Sequence, residues 1–144
     1  MYEKLKEEIK LHEGFVPRTY ADSLGKRTIG YGHLCVEPEQ WDDDKEYTKE
    51  ELNVVFEKDF NEALNNAEHL ISDRSINDTA KEVIIEMVFQ LGIGGVGKFK
   101  NMWSALDRED YGEASFQMLD SLWAKQTPAR AGKLAGKMRA AKEA

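Results

Sequence analysis

A chain of 144 residues can hold one domain with a sizeable core, burying roughly two-thirds of its unfolded surface. With 41% apolar and 33% charged residues the composition is that of a folded globular chain, and apolar runs of only a few residues exclude a transmembrane helix. The net charge of −7 is uneven: residues 37–68 carry 12 acids against 3 bases, whereas residues 124–144 sum to +5, and both segments read first as solvated helix faces.

The N-terminal stretch MYEKLKEEIKLHEG is charged throughout and lacks an apolar signal core, so synthesis in the cytoplasm without a signal peptide is expected, with no membrane insertion. Leu5, Ile9 and His12 repeat at helical spacing and Gly14 follows as a helix stop, which predicts a helix over 3–12 with Glu13 at its C-terminal end. The extended, aromatic FVPRTY comes next, then the turn-like DSLGK, then RTIGYGHL. Pro17 demotes the first of these strands to an edge, and the pair reads as a short hairpin or small sheet. Gly30 and Gly32 flank Tyr31 within the returning strand, where glycine marks a close approach of ligand or chain to the backbone.

Thr48 to Ile71 is the clearest helix. Thr48 and Glu51 form a capping-box pattern, and Leu52, Val55, Phe56, Phe60, Ala63, Leu64, Ala67, Leu70 and Ile71 keep one face apolar. From Asn77 the chain reads as helical with short breaks: a segment marked by Val83, Ile84, Met87, Val88 and Leu91 and broken by GIGGVG, then helices over about 100–107, 110–124 and 128–142, with Pro128 at the start of the last. The glycine run has no strand before it and no Lys-Ser/Thr after it, which argues against a phosphate loop. The fold class that results is α+β, one domain over 1–144. A small β-containing lobe (about 13–60) and a helical lobe (1–12 and about 72–144) are joined by the long helix.

If DSLGK reverses the chain, Asp22 and Thr28 face each other across it, and Glu13 hangs from a helix end leading into the same hairpin. The partial negative charge of that helix end pushes a carboxyl towards its protonated form, while a turn rich in donors favours an ionised one. Two carboxylates held in opposite protonation states are what acid-plus-base hydrolysis of a glycosidic bond requires. Taken alone, such residues are more often ordinary caps and surface groups. Other constellations are weaker. Cys35 is the only cysteine, which excludes an internal disulfide, and it reads as a packed free thiol. His12, His33 and His69 lack the spacing of a metal site, so neither metal nor cofactor is expected.

Glu13, eight residues, Asp22, five residues, Thr28 and then TIGYGHL together resemble the catalytic segment of the phage-type lysozymes of T-even bacteriophage. MVFQLGIGGVGKF (87–99) and SLWAKQTPARA (121–131) are similar to two further stretches of that family, in the same order. The resemblance implies a two-lobed muramidase that cleaves the β-1,4 bond between N-acetylmuramic acid and N-acetylglucosamine in peptidoglycan, with inversion. It implies Glu13 as general acid, Asp22 as the base acting through water, and Thr28 as the group placing that water. Leu34, Phe89 and Gln90 would line the cleft, and Arg130 would partner Glu13. His33 and Asp59 would form a structural ion pair, and Trp123 would be buried beside Gln90. It further implies a monomer that acts on the cell wall once a separate holin-like protein has permeabilised the membrane. Nothing in the chain carries a base-reading pattern, so no nucleic-acid partner is expected.

Overall fold

Leu5 and Ile9 stand four residues apart and are both buried, which gives the first helix, α1 (Glu3–Glu13), its single apolar stripe. Gly14 ends it with a positive φ of 76°, its N–H donating to Lys10 O at 2.9 Å. The computed structural model describes residues 1–143.

The hairpin region is a three-stranded antiparallel sheet, β1 (Val16–Ala21), β2 (Arg27–Gly30) and β3 (His33–Leu34), in the order β1-β2-β3. RTIGYGHL is therefore two strands, not one. Gly30 (φ 66°) and Gly32 (φ 76°) both take backbone conformations that disfavour other residues, so the chain turns at Tyr31 instead of running on. Pro17 lies on the edge strand as expected, and its carbonyl accepts the Tyr47 N–H at 2.9 Å.

One oxygen of the segment 35–48 gathers several hydrogen bonds from the sheet. Asp43 Oδ1 accepts from Thr19 Oγ1 at 2.6 Å and from Arg27 Nε and Nη2 at 2.9 and 2.7 Å. Helix α2 (Lys49–Ile71) begins with the expected capping box: the Thr48 N–H donates to Glu51 Oε1 and the Glu51 N–H to Thr48 Oγ1, each at 3.1 Å.

The described residues form two compact units, one of residues 1–62 and one beginning at Ala63, the boundary falling inside α2. Residues 1–12, expected in the helical lobe, fall in the first unit. There Lys6 Nζ donates to Glu57 Oε1 at 2.9 Å and Lys10 Nζ to Asn53 Oδ1 at 2.6 Å. Its core includes Leu5, Ile9, Ile29, Leu52, Phe56 and Phe60.

The second unit is helical. Asn77 caps α3 (Asp78–Gly97) by accepting from the Ala80 N–H at 3.0 Å. The glycine run does not end this helix. It kinks at Gly92 (φ 80°, ψ 165°) and then resumes to Gly97. Helices α4 (Lys100–Asp107), α5 (Tyr111–Leu119), α6 (Leu122–Gln126) and α7 (Pro128–Ala140) follow, with a 3₁₀ turn over Ala141–Glu143. The single helix expected over 110–124 is thus two. Ser121 separates them: its Oγ donates to Met118 O at 2.6 Å and accepts from the Ala124 N–H at 3.2 Å, closing one helix and capping the next. Val83, Ile84, Met87, Met102, Leu106, Met118, Leu134 and Met138 are buried in this unit. Among the described residues no helix is long and apolar enough to cross a membrane.

Candidate active site

Glu13 is the last residue of α1, and its carboxyl lies against the backbone of Gly32. A methyl group placed on Gly32 would sit 2.7 Å from Glu13 Oε1. The second glycine of the GYG stretch therefore has two reasons to be glycine: a φ of 76° and the space the carboxyl occupies. The close approach at Gly32 is made by the Glu13 side chain, and Gly30 faces Leu52 instead.

Asp22 sits at the turn that DSLGK makes. Its carboxylate accepts the backbone N–H groups of Leu24 at 2.9 Å and Lys26 at 2.8 Å, both on Oδ1. Its own N–H donates to Lys26 O and its carbonyl accepts from Gly25, each at 2.9 Å. The loop thus fixes the orientation of the carboxylate, and Oδ2 carries none of the turn's hydrogen bonds. Thr28 is buried (3% exposed), and its Oγ1 donates to Lys26 O at 2.9 Å, so the same carbonyl ties both residues to one loop.

The sheet register sorts these groups by face. Tyr20 is directly opposite Thr28, and Thr28 is directly opposite Leu34. Directly opposed side chains share a face, so Tyr20, Thr28 and Leu34 form a row across the three strands. Leu34 ends the row as an exposed apolar group.

Arg27 and His33 belong to the opposite face. His33 Nδ1 is 2.7 Å from Asp59 Oδ2, the expected ion pair, and its Nε2 is 2.9 Å from Glu39 Oε1. The hydrogen bond to Asp59, opposed by burial and reinforced by Glu39, raises the imidazole to a pKa of about 9, so it is charged at neutral pH. Trp41 Nε1 donates to Glu39 at 2.9 Å, and that carboxyl is held below its usual range against the effect of burial. Glu39 lay among several acids with nothing in the spacing to single it out.

In the second unit, Trp123 is buried and its Nε1 donates to Gln90 Oε1 at 2.9 Å, while Phe89 and Gln90 are themselves half-buried. Arg130 Nε donates to Glu86 Oε2 at 3.1 Å, and Glu86 is completely buried. The reading that assigned Arg130 to Glu13 alone missed this partner. Its signal was available, since Glu86 is the one acid within the apolar run VIIEMVF. A concavity of about 410 Å³ opens in this unit, lined by Leu91, Phe99, Asn101, Met102, Gln117 and Trp123 among others. Among the described residues no group of three His, Cys, Asp or Glu side chains is placed to hold a metal ion.

A carboxyl at a helix end, a fixed turn carboxylate and a buried hydroxyl on one sheet suit hydrolysis of a glycoside. The phage lysozyme family model matches residues 10–143. The chain belongs to the phage lysozyme family. Two relatives are the probable T4-type lysozymes 2 and 1 of Dictyostelium discoideum, 27% and 29% identical over 157 residues, each alignment spanning 93% of this chain and 92% of the relative. A third is the pre-baseplate central spike protein Gp5 of enterobacteria phage T4, 29% identical over 89% of this chain but 26% of that longer protein. This phage lysozyme is accordingly a glycoside hydrolase of the muramidase type, directed at bacterial peptidoglycan.

Proposed function

We propose that this lysozyme hydrolyses the β-1,4 bond between N-acetylmuramic acid and N-acetylglucosamine with inversion. Glu13 acts as general acid, protonating the leaving glycosidic oxygen. It is the last residue of α1, where the chain enters the hairpin, and its carboxyl lies against Gly32. Asp22 acts as general base: one oxygen is occupied by the turn and the other accepts a proton from water on the opposite face of the sugar. Thr28 holds that water. Leu34, exposed at the end of its row, supplies apolar contact to the glycan. Arg130 holds the buried Glu86 carboxyl of the second unit.

What supports this reading is that the Glu13 carboxyl lies against Gly32, and that Asp22 and Thr28 both hydrogen-bond the Lys26 carbonyl in the same unit. The unaltered protein should clear a suspension of outer-membrane-permeabilised cells, and Glu13→Gln should not, while keeping its far-UV circular dichroism and unfolding midpoint. Near-normal clearing by Glu13→Gln would end the assignment.

The biological setting we favour is host-cell lysis by a monomer that meets the wall after a holin-like protein permeabilises the membrane. The similarity to the spike protein supports a second reading, a virion-associated lysozyme used at entry.

A further inference from the structure

Tyr20 is drawn into no interaction of the fold that its position would suggest. It stands directly opposite Thr28, on the same face of the sheet, and two residues before Asp22 in sequence. It is 36% exposed, so its ring is partly covered while its far end reaches the surface. Among the described residues its phenol oxygen has no hydrogen-bond partner, and it flanks Thr28 on one side as Leu34 does on the other. A tyrosine hydroxyl extends several ångströms past a threonine hydroxyl on the same face. Both carboxyls bear on it: partial burial, then Glu13, then Asp22, together hold the phenol above its usual pKa, so it remains a neutral donor.

A donor that both carboxyls act on, with no hydrogen-bond partner among the described residues, is available to a substrate of the hydrolase. We propose that the Tyr20 phenol is a further polar group of the hydrolytic site, hydrogen-bonding the sugar ring bound between Glu13 and Asp22; this role rests on the hydrolase reading above. The ligand class follows from the chemistry. A neutral phenol O–H next to two carboxyls suits the hydroxyls, ring oxygen and N-acetyl carbonyl of an amino-sugar, and it would be a poor contact for an anion. Thr28 and Asp22 deal with the water, and Tyr20 holds the saccharide against them.

The test is Tyr20→Phe, which keeps the ring and removes only the hydroxyl. Because the hydroxyl has no protein partner, the thermal midpoint should stay within error of the unaltered protein. Initial rates on a soluble peptidoglycan fragment should show kcat/KM reduced about fivefold to tenfold, the effect of one lost neutral hydrogen bond to substrate. The loss should appear as a lower kcat and a higher KM, since a sugar held less firmly is also less well aligned. Unchanged kcat and KM in Tyr20→Phe would overturn the proposal while leaving the roles of Glu13 and Asp22 standing. A drop in activity matched by a lowered midpoint would overturn it too, by making the hydroxyl structural. Failure of the unaltered protein to release fragments would overturn the hydrolase reading itself, and the role of Tyr20 with it.

Discussion

His33 joins three segments: β3 carries it, Asp59 comes from α2 and Glu39 from the segment after the sheet. Its pKa of about 9, against an ordinary 6.5, means the folded state binds the imidazole proton more tightly than the unfolded state by about 2.5 units, or about 3 kcal/mol. Since the folded pKa is raised, this contribution is complete below pH 6.5 and is lost as pH rises through 9. His33 is only 13% exposed at its side chain, so solvent screening removes little of it. Replacing His33 by Gln should therefore cost about 3 kcal/mol more at pH 6 than at pH 10, which for a chain of this length is a shift in midpoint of about 10 °C. Urea unfolding of both proteins at a series of pH values measures it. Asp59→Asn should remove more of the pH dependence than Glu39→Gln, because the Asp59 hydrogen bond is the larger cause of the shift. A His33→Gln protein whose stability parallels the unaltered protein across that pH range would refute the reasoning.

Gly32→Ala should disturb both backbone and chemistry. A left-handed φ costs a non-glycine residue about 1–2 kcal/mol, and the added methyl forces the Glu13 carboxyl away; misplacing it should lower the clearing rate by about 10²-fold, a far larger effect than the stability loss explains. Arg130→Met should leave the buried Glu86 carboxylate without the guanidinium beside it, lowering unfolding free energy by about 3–5 kcal/mol in urea titrations; a loss under about 1 kcal/mol would show the pair to be dispensable.

Local rules were legible where one segment decides the outcome. The Thr48/Glu51 cap, the Glu13 position at a helix end followed by Gly14, and the meeting of Asp22 with Thr28 across a tight turn all follow from side chains within a few residues of each other. The His33–Asp59 and Gln90–Trp123 contacts were expected through family resemblance, since no local pattern links residues that far apart. What escaped was set by longer range or by choices between near-equal local states. Ser121 was compatible with a helix interior, yet capping α6 and closing α5 satisfies more backbone groups than one continuous helix would leave paired there. Three closely spaced glycines after Gly92 suggested a stop, but only Gly92 leaves helical geometry. Glu39 and Glu86 became partners of His33 and Arg130 through tertiary packing, which residue type alone does not announce.

The central claim is that Glu13 and Asp22 act as an acid and a base on opposite faces of the sugar. Proton NMR of the reducing ends first released from purified peptidoglycan by the unaltered protein tests it most directly. Inverting hydrolysis of a β-linkage predicts that the α-anomer appears first and then mutarotates. Initial release of the β-anomer, or release unaffected by Glu13→Gln, would contradict it.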